Sequence, residues 1–219
     1  MEGASRLAAG RGTSEVFVLD TLISLSVVLL AYGMGAVPTG ILVARLRGID
    51  IRKTGSGNIG ATNVLRSVGP AAALVVLLID PLKGVLAVLV PKAMGLDPWW
   101  VAAAALAAVL GNVFNVFLRG RGGKGVATSF GVFIIIDPWV TLTALVIFIL
   151  TLAFGRMVSL GSLVAVSSAP VMLLILGDAS TEKVVLVFLL AGLMVWRHRD
   201  NIVRLAQGVE NRLGAKRPS

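Results

Sequence analysis

The chain has no cysteine and a single histidine, His198. The first absence excludes a disulfide framework, a Cys-based zinc site and a cysteine nucleophile. The second excludes a multi-histidine metal site, and no metal or cofactor is expected. Charge is also scarce. Only 14% of the 219 residues are charged, against about a quarter in a soluble globular domain. What replaces charge is apolar: 57% of the chain is hydrophobic. These proportions describe an integral membrane protein of one compact helical domain. Acids are rarer than bases, and the formal net charge is +9. In a membrane chain such an excess marks cytoplasmic loops, contact with anionic headgroups, or an anionic substrate. There is no soluble basic domain, so nucleic acid is not an expected partner. Nucleotide motifs are absent too. Gly55 to Gly60 spells G-x-G-x-x-G, but no strand precedes it and no βαβ unit surrounds it. Near Gly122, the residue after Lys124 is Gly125, where a P-loop needs Ser or Thr.

Long apolar runs dominate what is present. A spanning helix needs about 20 apolar residues. Runs of that kind cover about 16–44 (interrupted by Gly33, Gly35 and Pro38), 69–90, 98–118, 139–154 and 158–176, with shorter ones at 126–136 and 184–196. The expected fold is therefore an all-α, polytopic helix bundle of about seven transmembrane helices, some short or broken. If all seven cross, the segments 45–66, 119–125, 155–158 and the tail from 197 share one side. They hold 15 of the 20 Lys and Arg residues. The positive-inside rule makes that side cytoplasmic, with the N-terminus outside and the C-terminus inside. Five crossings also satisfy the charges, if 126–136 and 139–154 form a re-entrant hairpin. Residues 1–15 read as a disordered polar lead-in, 16–204 as the transmembrane domain and 205–219 as a basic cytoplasmic tail.

Four polar stretches then meet on the cytoplasmic side: DIRKTGSGNIGATNVLR (50–66), RGRGGKGVATS (119–129), RMVSLGS (156–162) and RHRDNIVRLAQGVE (197–210). Taken singly, each has a plain reading. Glycines between helices make turns, arginines at helix ends anchor topology, and Ser159 or Ser162 near a helix start can cap it. Together they form a phosphate-binding mixture. Glycine lets backbone N–H groups approach an anion, Lys and Arg add full charge, and Ser, Thr and Asn add neutral donors. Two phosphates, or one diphosphate, fit that inventory.

These stretches, with DPLKG (80–84), resemble the motifs of the bacterial acyl-phosphate:glycerol-3-phosphate acyltransferases, the PlsY family. The match runs in order from about residue 30 to 210. The resemblance implies a seven-helix enzyme of the bacterial plasma membrane. It would move a fatty acyl group from acyl phosphate to the 1-hydroxyl of glycerol 3-phosphate, giving lysophosphatidic acid for phospholipid synthesis. The sequence departs from the family pattern at Ala36, Gly120, Asn112 and Asn115.

An acyl phosphate is already activated, so the enzyme must hold both phosphates, orient the hydroxyl and stabilise the oxyanion. No nucleophile elbow is present, and residue 203, five beyond His198, is Val and not Asp. Neither an acyl-enzyme nor an acyl-CoA-type mechanism is expected. Ser56, Asn58, Thr62, Asn63, Gly55, Gly57 and Gly60 are expected to cradle one phosphate, with Arg52 nearby. Lys124, with the backbone of Gly122, Gly123 and Gly125, is assigned to phosphate or oxyanion, and Thr128 is a further binding candidate. Ser159, Ser162, His198 and Asn201 are expected to orient glycerol 3-phosphate, with Arg197 and Arg199 supplying charge. The proton acceptor is either His198, whose pKa the surrounding arginines would depress, or a substrate phosphate. Two other functions fit parts of the sequence: a small-anion transporter, suggested by the broken helices and the intramembrane Asp80 and Lys83, and a catalytically silent relative that binds lipid headgroups.

Overall fold

In the computed structural model the described residues are 2–214, with side chains described from residue 15. Ten α-helices follow one another there: α1 Glu2–Gly35, α2 Thr39–Arg45, α3 Ala61–Ser67, α4 Pro70–Ala93, α5 Pro98–Val113, α6 Val126–Ile136, α7 Pro138–Gly155, α8 Val158–Leu176, α9 Thr181–Arg197 and α10 Arg199–Ala206. The helix bounds of α1 take in residues 2–15, so no secondary-structure boundary falls where the sequence sets the polar lead-in apart.

Local chemistry explains the ends. Pro70, Pro98 and Pro138 open α4, α5 and α7, where a missing N–H costs nothing. Asp97 and Asp137 cap two of these helices by accepting from the N–H groups of Trp99 and Val140. Pro38 cannot continue α1, so the first apolar run breaks and restarts as α2.

Among the described residues, five helical segments are long and apolar enough to cross a membrane: Glu15–Arg45, Pro70–Ala93, Pro98–Leu118, Pro138–Gly155 and Val158–Leu176. The 11-residue α6 and the 17-residue α9 are shorter. Many large apolar side chains point outward, Leu29 and Leu30 being about 70% exposed, while alanine and valine make up most of the buried apolar interior. A Cβ on Gly35 would sit 2.0 Å from the Ala108 carbonyl oxygen, and one on Gly111 would sit 2.1 Å from that of Tyr32. Helices α1 and α5 therefore meet backbone to backbone, as membrane helices do when small residues line the contact. Helix α5 packs on α1, α4 and α9, and its alanines at 104, 105 and 108 are fully buried. This frame brings the loops after α2, α5, α7 and α9 to one end of the bundle.

Candidate active site

A cavity of about 650 Å³ opens at that end and runs down among α6, α7, α8 and α9. Its rim is polar: Ser56, Asn58, Gly60, Thr62, Asn63, Lys124, Ser159, Ser162, His198 and Asn201 all line it. Its depth is apolar, lined by Phe130, Phe133, Ala144, Phe148, Ala165, Ala169 and Leu190 among others. From Val158 to Ala169 the wall formed by α8 rises roughly 16 Å at 1.5 Å per residue.

The first glycine loop is organised by one side chain. The Asn63 amide is 2% exposed. Its nitrogen donates to the carbonyls of Ile51, Thr54 and Asn58, and its oxygen accepts the Ser56 N–H at 2.9 Å. Asn63 thus spends its hydrogen bonds folding the loop. Asn58 caps the Gly60 N–H at 2.9 Å. Gly55 backs onto Asn63, where a Cβ would lie 2.1 Å from the amide oxygen, and its φ is +61°. Ser56 and Thr62 are left on the rim.

The second loop is held from two sides. Gly122 N–H donates to Val113 O and Gly123 N–H to Asn112 O, each at 3.0 Å. Their own carbonyls accept from the Arg197 guanidinium at 3.1–3.2 Å. The backbone groups of Gly122 and Gly123 are therefore engaged with protein, and this corrects the expectation that these two amides face an anion. The loop needs glycine for close approach, since a Cβ on Gly122 would lie 2.0 Å from Asn112 O. Gly125 takes φ +82° and leads into α6.

Lys124, free of such duty, extends into the cavity. Its ammonium donates to Asn201 Oδ1 at 2.5 Å, Asn201 Nδ2 donates to Glu210 Oε1 at 3.0 Å, and Arg204 pairs with the other Glu210 oxygen at 2.9 Å. Burial lowers the Lys124 pKa to about 8, opposed by the charge of Glu210 and reinforced by Arg204 and Arg197. His198, at the junction of α9 and α10, is 2% exposed. Its Nδ1 lies 2.7 Å from Met194 O. A carbonyl only accepts, so Nδ1 carries the proton and Nε2 is left with a lone pair. Burial, ahead of the Lys124 charge, pushes the His198 pKa down to about 4. The expected depression is present, but desolvation leads it and the arginines contribute little.

Three buried hydroxyls on the cavity wall, those of Thr128, Ser129 and Ser159, have no hydrogen-bond partner among the described residues. Buried polar groups are normally satisfied, and these three keep unused hydrogen-bonding capacity in residues that line the cavity. Ser162 donates to Val158 O and keeps its lone pairs.

Other expected site residues are placed elsewhere. Arg52 lies off the cavity lining and binds Asp50 at 3.2 Å. That contact holds the partly exposed Asp50 carboxyl below its ordinary range. Gly55, Gly57 and Gly122 also lie behind the lining. Arg197 and Arg199 reach it, and both guanidinium groups stack over Trp196. Arg66, Arg204, Glu210 and Asn112 fall outside the set expected from the sequence, yet all four line the cavity. Glu210 carries a usable signal as the only acid after residue 200. The departures have local accounts as well. Asn115, 1% exposed, donates to Ala36 O at 2.5 Å and caps the Phe117 N–H, tying the end of α5 to the break after α1.

A family model described as glycerol-3-phosphate acyltransferase matches residues 25–208. Glycerol-3-phosphate acyltransferase 1 of Deinococcus radiodurans is 50% identical over 196 residues, covering 90% of this chain and 98% of that one. A glycerol-3-phosphate acyltransferase of Thermus thermophilus is 52% identical over 188 residues, covering 86% and 94%. Among solved structures, the glycerol 3-phosphate form of PlsY (YgiH), an integral membrane glycerol 3-phosphate acyltransferase, superposes with TM-score 0.83 at 38% identity, covering 87% of this chain and 96% of that one. Its lysophosphatidic acid form superposes with TM-score 0.81 at 37% identity.

Proposed function

The chain belongs to the glycerol-3-phosphate acyltransferase family, and from that premise we propose how its cavity divides the work. The protein is a multi-pass membrane enzyme that acylates glycerol 3-phosphate to lysophosphatidic acid. We propose acyl phosphate as the donor, with its chain in the apolar depth and its phosphate against Ser56, Thr62 and the first glycine loop. Glycerol 3-phosphate is held by Lys124, Ser159, Ser162 and Asn201, with Arg197 and Arg199 adding positive charge. The observation that carries this reading is the cavity itself: a polar, cation-rich rim continuous with an apolar slot. Acyl phosphate turned over without coenzyme A, and acyl-CoA left untouched, is the expected donor preference; the reverse preference would overturn it.

In the transfer, the 1-hydroxyl oxygen attacks the acyl carbonyl carbon. The tetrahedral oxyanion forms near the Lys124 ammonium, the carbon–oxygen bond to phosphate breaks, and phosphate leaves with the bonding pair. The hydroxyl proton ends on that phosphate. His198 accepts a hydrogen bond from the hydroxyl at Nε2 and aims it. Burial weakens it as a base, with a pKa of about 4 in the absence of substrate, which favours passing the proton to the leaving phosphate. Orientation needs only an acceptor, so His198→Gln is expected to retain appreciable kcat while His198→Ala loses much more, by roughly the 10²-fold scale of acid–base or positioning groups. Equal loss in both variants would restore His198 as the base.

The membrane arrangement follows from charge. We propose seven crossings with α6 and α9 completing the five long spans, residues 205–219 cytoplasmic and the lead-in outside. A topology reporter fused after residue 219 is expected to read cytoplasmic and one ahead of residue 16 external. Both termini on one side would contradict the odd count.

A further inference from the structure

On the cavity wall, where Asp80 and Pro81 line it in the middle of α4, the DPLKG segment at 80–84 carries an ion cluster that no step of the transfer uses. Lys83 is 4% exposed. Its Nζ donates to Val37 O at 2.7 Å, Thr39 Oγ1 at 2.7 Å and Asp80 Oδ1 at 2.6 Å. Thr39 Oγ1 in turn donates to Asp80 Oδ1 at 3.0 Å. An ammonium has three N–H groups, and all three are spent. Two of the acceptors belong to residues on either side of Pro38, so Lys83 grips the break between α1 and α2.

That break bears on the first glycine loop. The next residue, Gly40, lies against Ile59, where a Cβ would be 1.8 Å from the carbonyl oxygen. The first turn of α2 therefore seats the Ile59–Gly60 peptide. One residue past Lys83, α4 meets α6, the helix into which the second loop leads. A Cβ on Gly84 would lie 2.0 Å from Thr128 O, and one on Gly131 would lie 1.9 Å from Pro81 O. Helices α4 and α6 touch backbone to backbone just after Lys124 and Gly125.

We propose that this segment of α4 is a positioning element that sets the separation between the two glycine loops, with Lys83 as its pivot. Four of residues 80–84 touch a support, Asp80 and Lys83 the break between α1 and α2 and Pro81 and Gly84 helix α6, and neither Lys83 nor Gly84 is placed on the substrates. In a membrane interior a buried ion pair is costly and calls for a role. Here it holds a helix break in one geometry. The proposal rests on the assignment of the first loop to the donor phosphate, and two readouts separate the two claims.

The chain has no cysteine, so spin labels go on Lys53→Cys and Arg121→Cys, exposed positions before each loop. Distances between them are measured by double electron–electron resonance in detergent. Thr39→Val keeps the Asp80–Lys83 pair and removes one anchor. Lys83→Arg keeps the charge, but a planar guanidinium cannot meet three acceptors gathered around one point. Both variants are expected to shift or broaden the distance distribution. Both are also expected to raise KM for acyl phosphate more than KM for glycerol 3-phosphate, with kcat/KM falling by up to about 10²-fold, the scale of an ångström-sized misplacement. If Lys83→Arg does not fold, Thr39→Val carries the test. An unchanged distribution, or unchanged KM values with Vmax following the amount of folded protein, overturns the proposal. A shifted distribution with only the glycerol 3-phosphate KM raised supports the positioning role and overturns the donor assignment of the first loop.

Discussion

Lys124→Ala is expected to lower the acylation rate by about 10²-fold or more, the scale for removing one oxyanion donor. Lys124 is the cation that the second loop delivers into the cavity, while the backbone around it is tied to α5 and Arg197. Removing it leaves Asn201 still held by Glu210, so the loss falls on the ligand and not on the wall. The pKa of about 8 adds a signature. An amine is charged below its pKa, so kcat/KM for the wild type is expected to fall as pH rises through about 8 in the free enzyme. Lys124→Arg stays charged throughout and should lose this alkaline limb. It should not recover full rate, because a planar fork replaces a compact ammonium. Arg119→Lys, on the exposed side of the same loop, should be nearly silent. The measurement is initial rate on equal amounts of folded protein across pH. Near-normal activity in Lys124→Ala would reduce the loop to a turn.

Free glycerol is expected to be a very poor acceptor. In the proposed arrangement the phosphate of glycerol 3-phosphate answers Lys124, Asn201 and the serine hydroxyls, of which Ser159 has no protein partner among the described residues. Without that phosphate, each buried donor left unpaired costs about 1–3 kcal/mol. Charge-assisted bonds sit at the upper end of such values. Losing two of them lowers kcat/KM by roughly 10²- to 10⁴-fold. Competing the two acceptors in one assay measures the ratio. Comparable turnover of glycerol would mean that the rim does not read phosphate.

The bundle was readable from the sequence because hydropathy is read along the chain: runs at 69–90, 98–118 and 158–176 became α4, α5 and α8 within a few residues. The gathering of loops was readable because charge sorts by side. What each polar residue faces was not. Asn63 and Ser56 look alike as donors in a glycine loop, yet Asn63 turns inward to three carbonyls and Ser56 does not. Gly122 and Gly125 both suit an anion cradle on paper, but Gly122 lies against Asn112 O. The spacing of Asp80 and Lys83 gave the pair away, one turn apart, and suggested a transport pathway. Their actual target, the break at Pro38, is 40-odd residues distant in the chain and invisible to any local pattern. The pKa of His198 shows the same limit. Neighbouring arginines are visible in the sequence, whereas burial, the larger cause, is a property of the fold.

Direct transfer from acyl phosphate to glycerol 3-phosphate is tested most directly by stoichiometry. Purified enzyme in detergent receives palmitoyl phosphate and labelled glycerol 3-phosphate, without coenzyme A, and labelled lysophosphatidic acid and free phosphate are followed together. The expected result is one lysophosphatidic acid per phosphate released, with no burst of phosphate when glycerol 3-phosphate is withheld. A phosphate burst without acceptor would reveal an acyl-enzyme, and an absence of lysophosphatidic acid from folded protein would contradict the account outright.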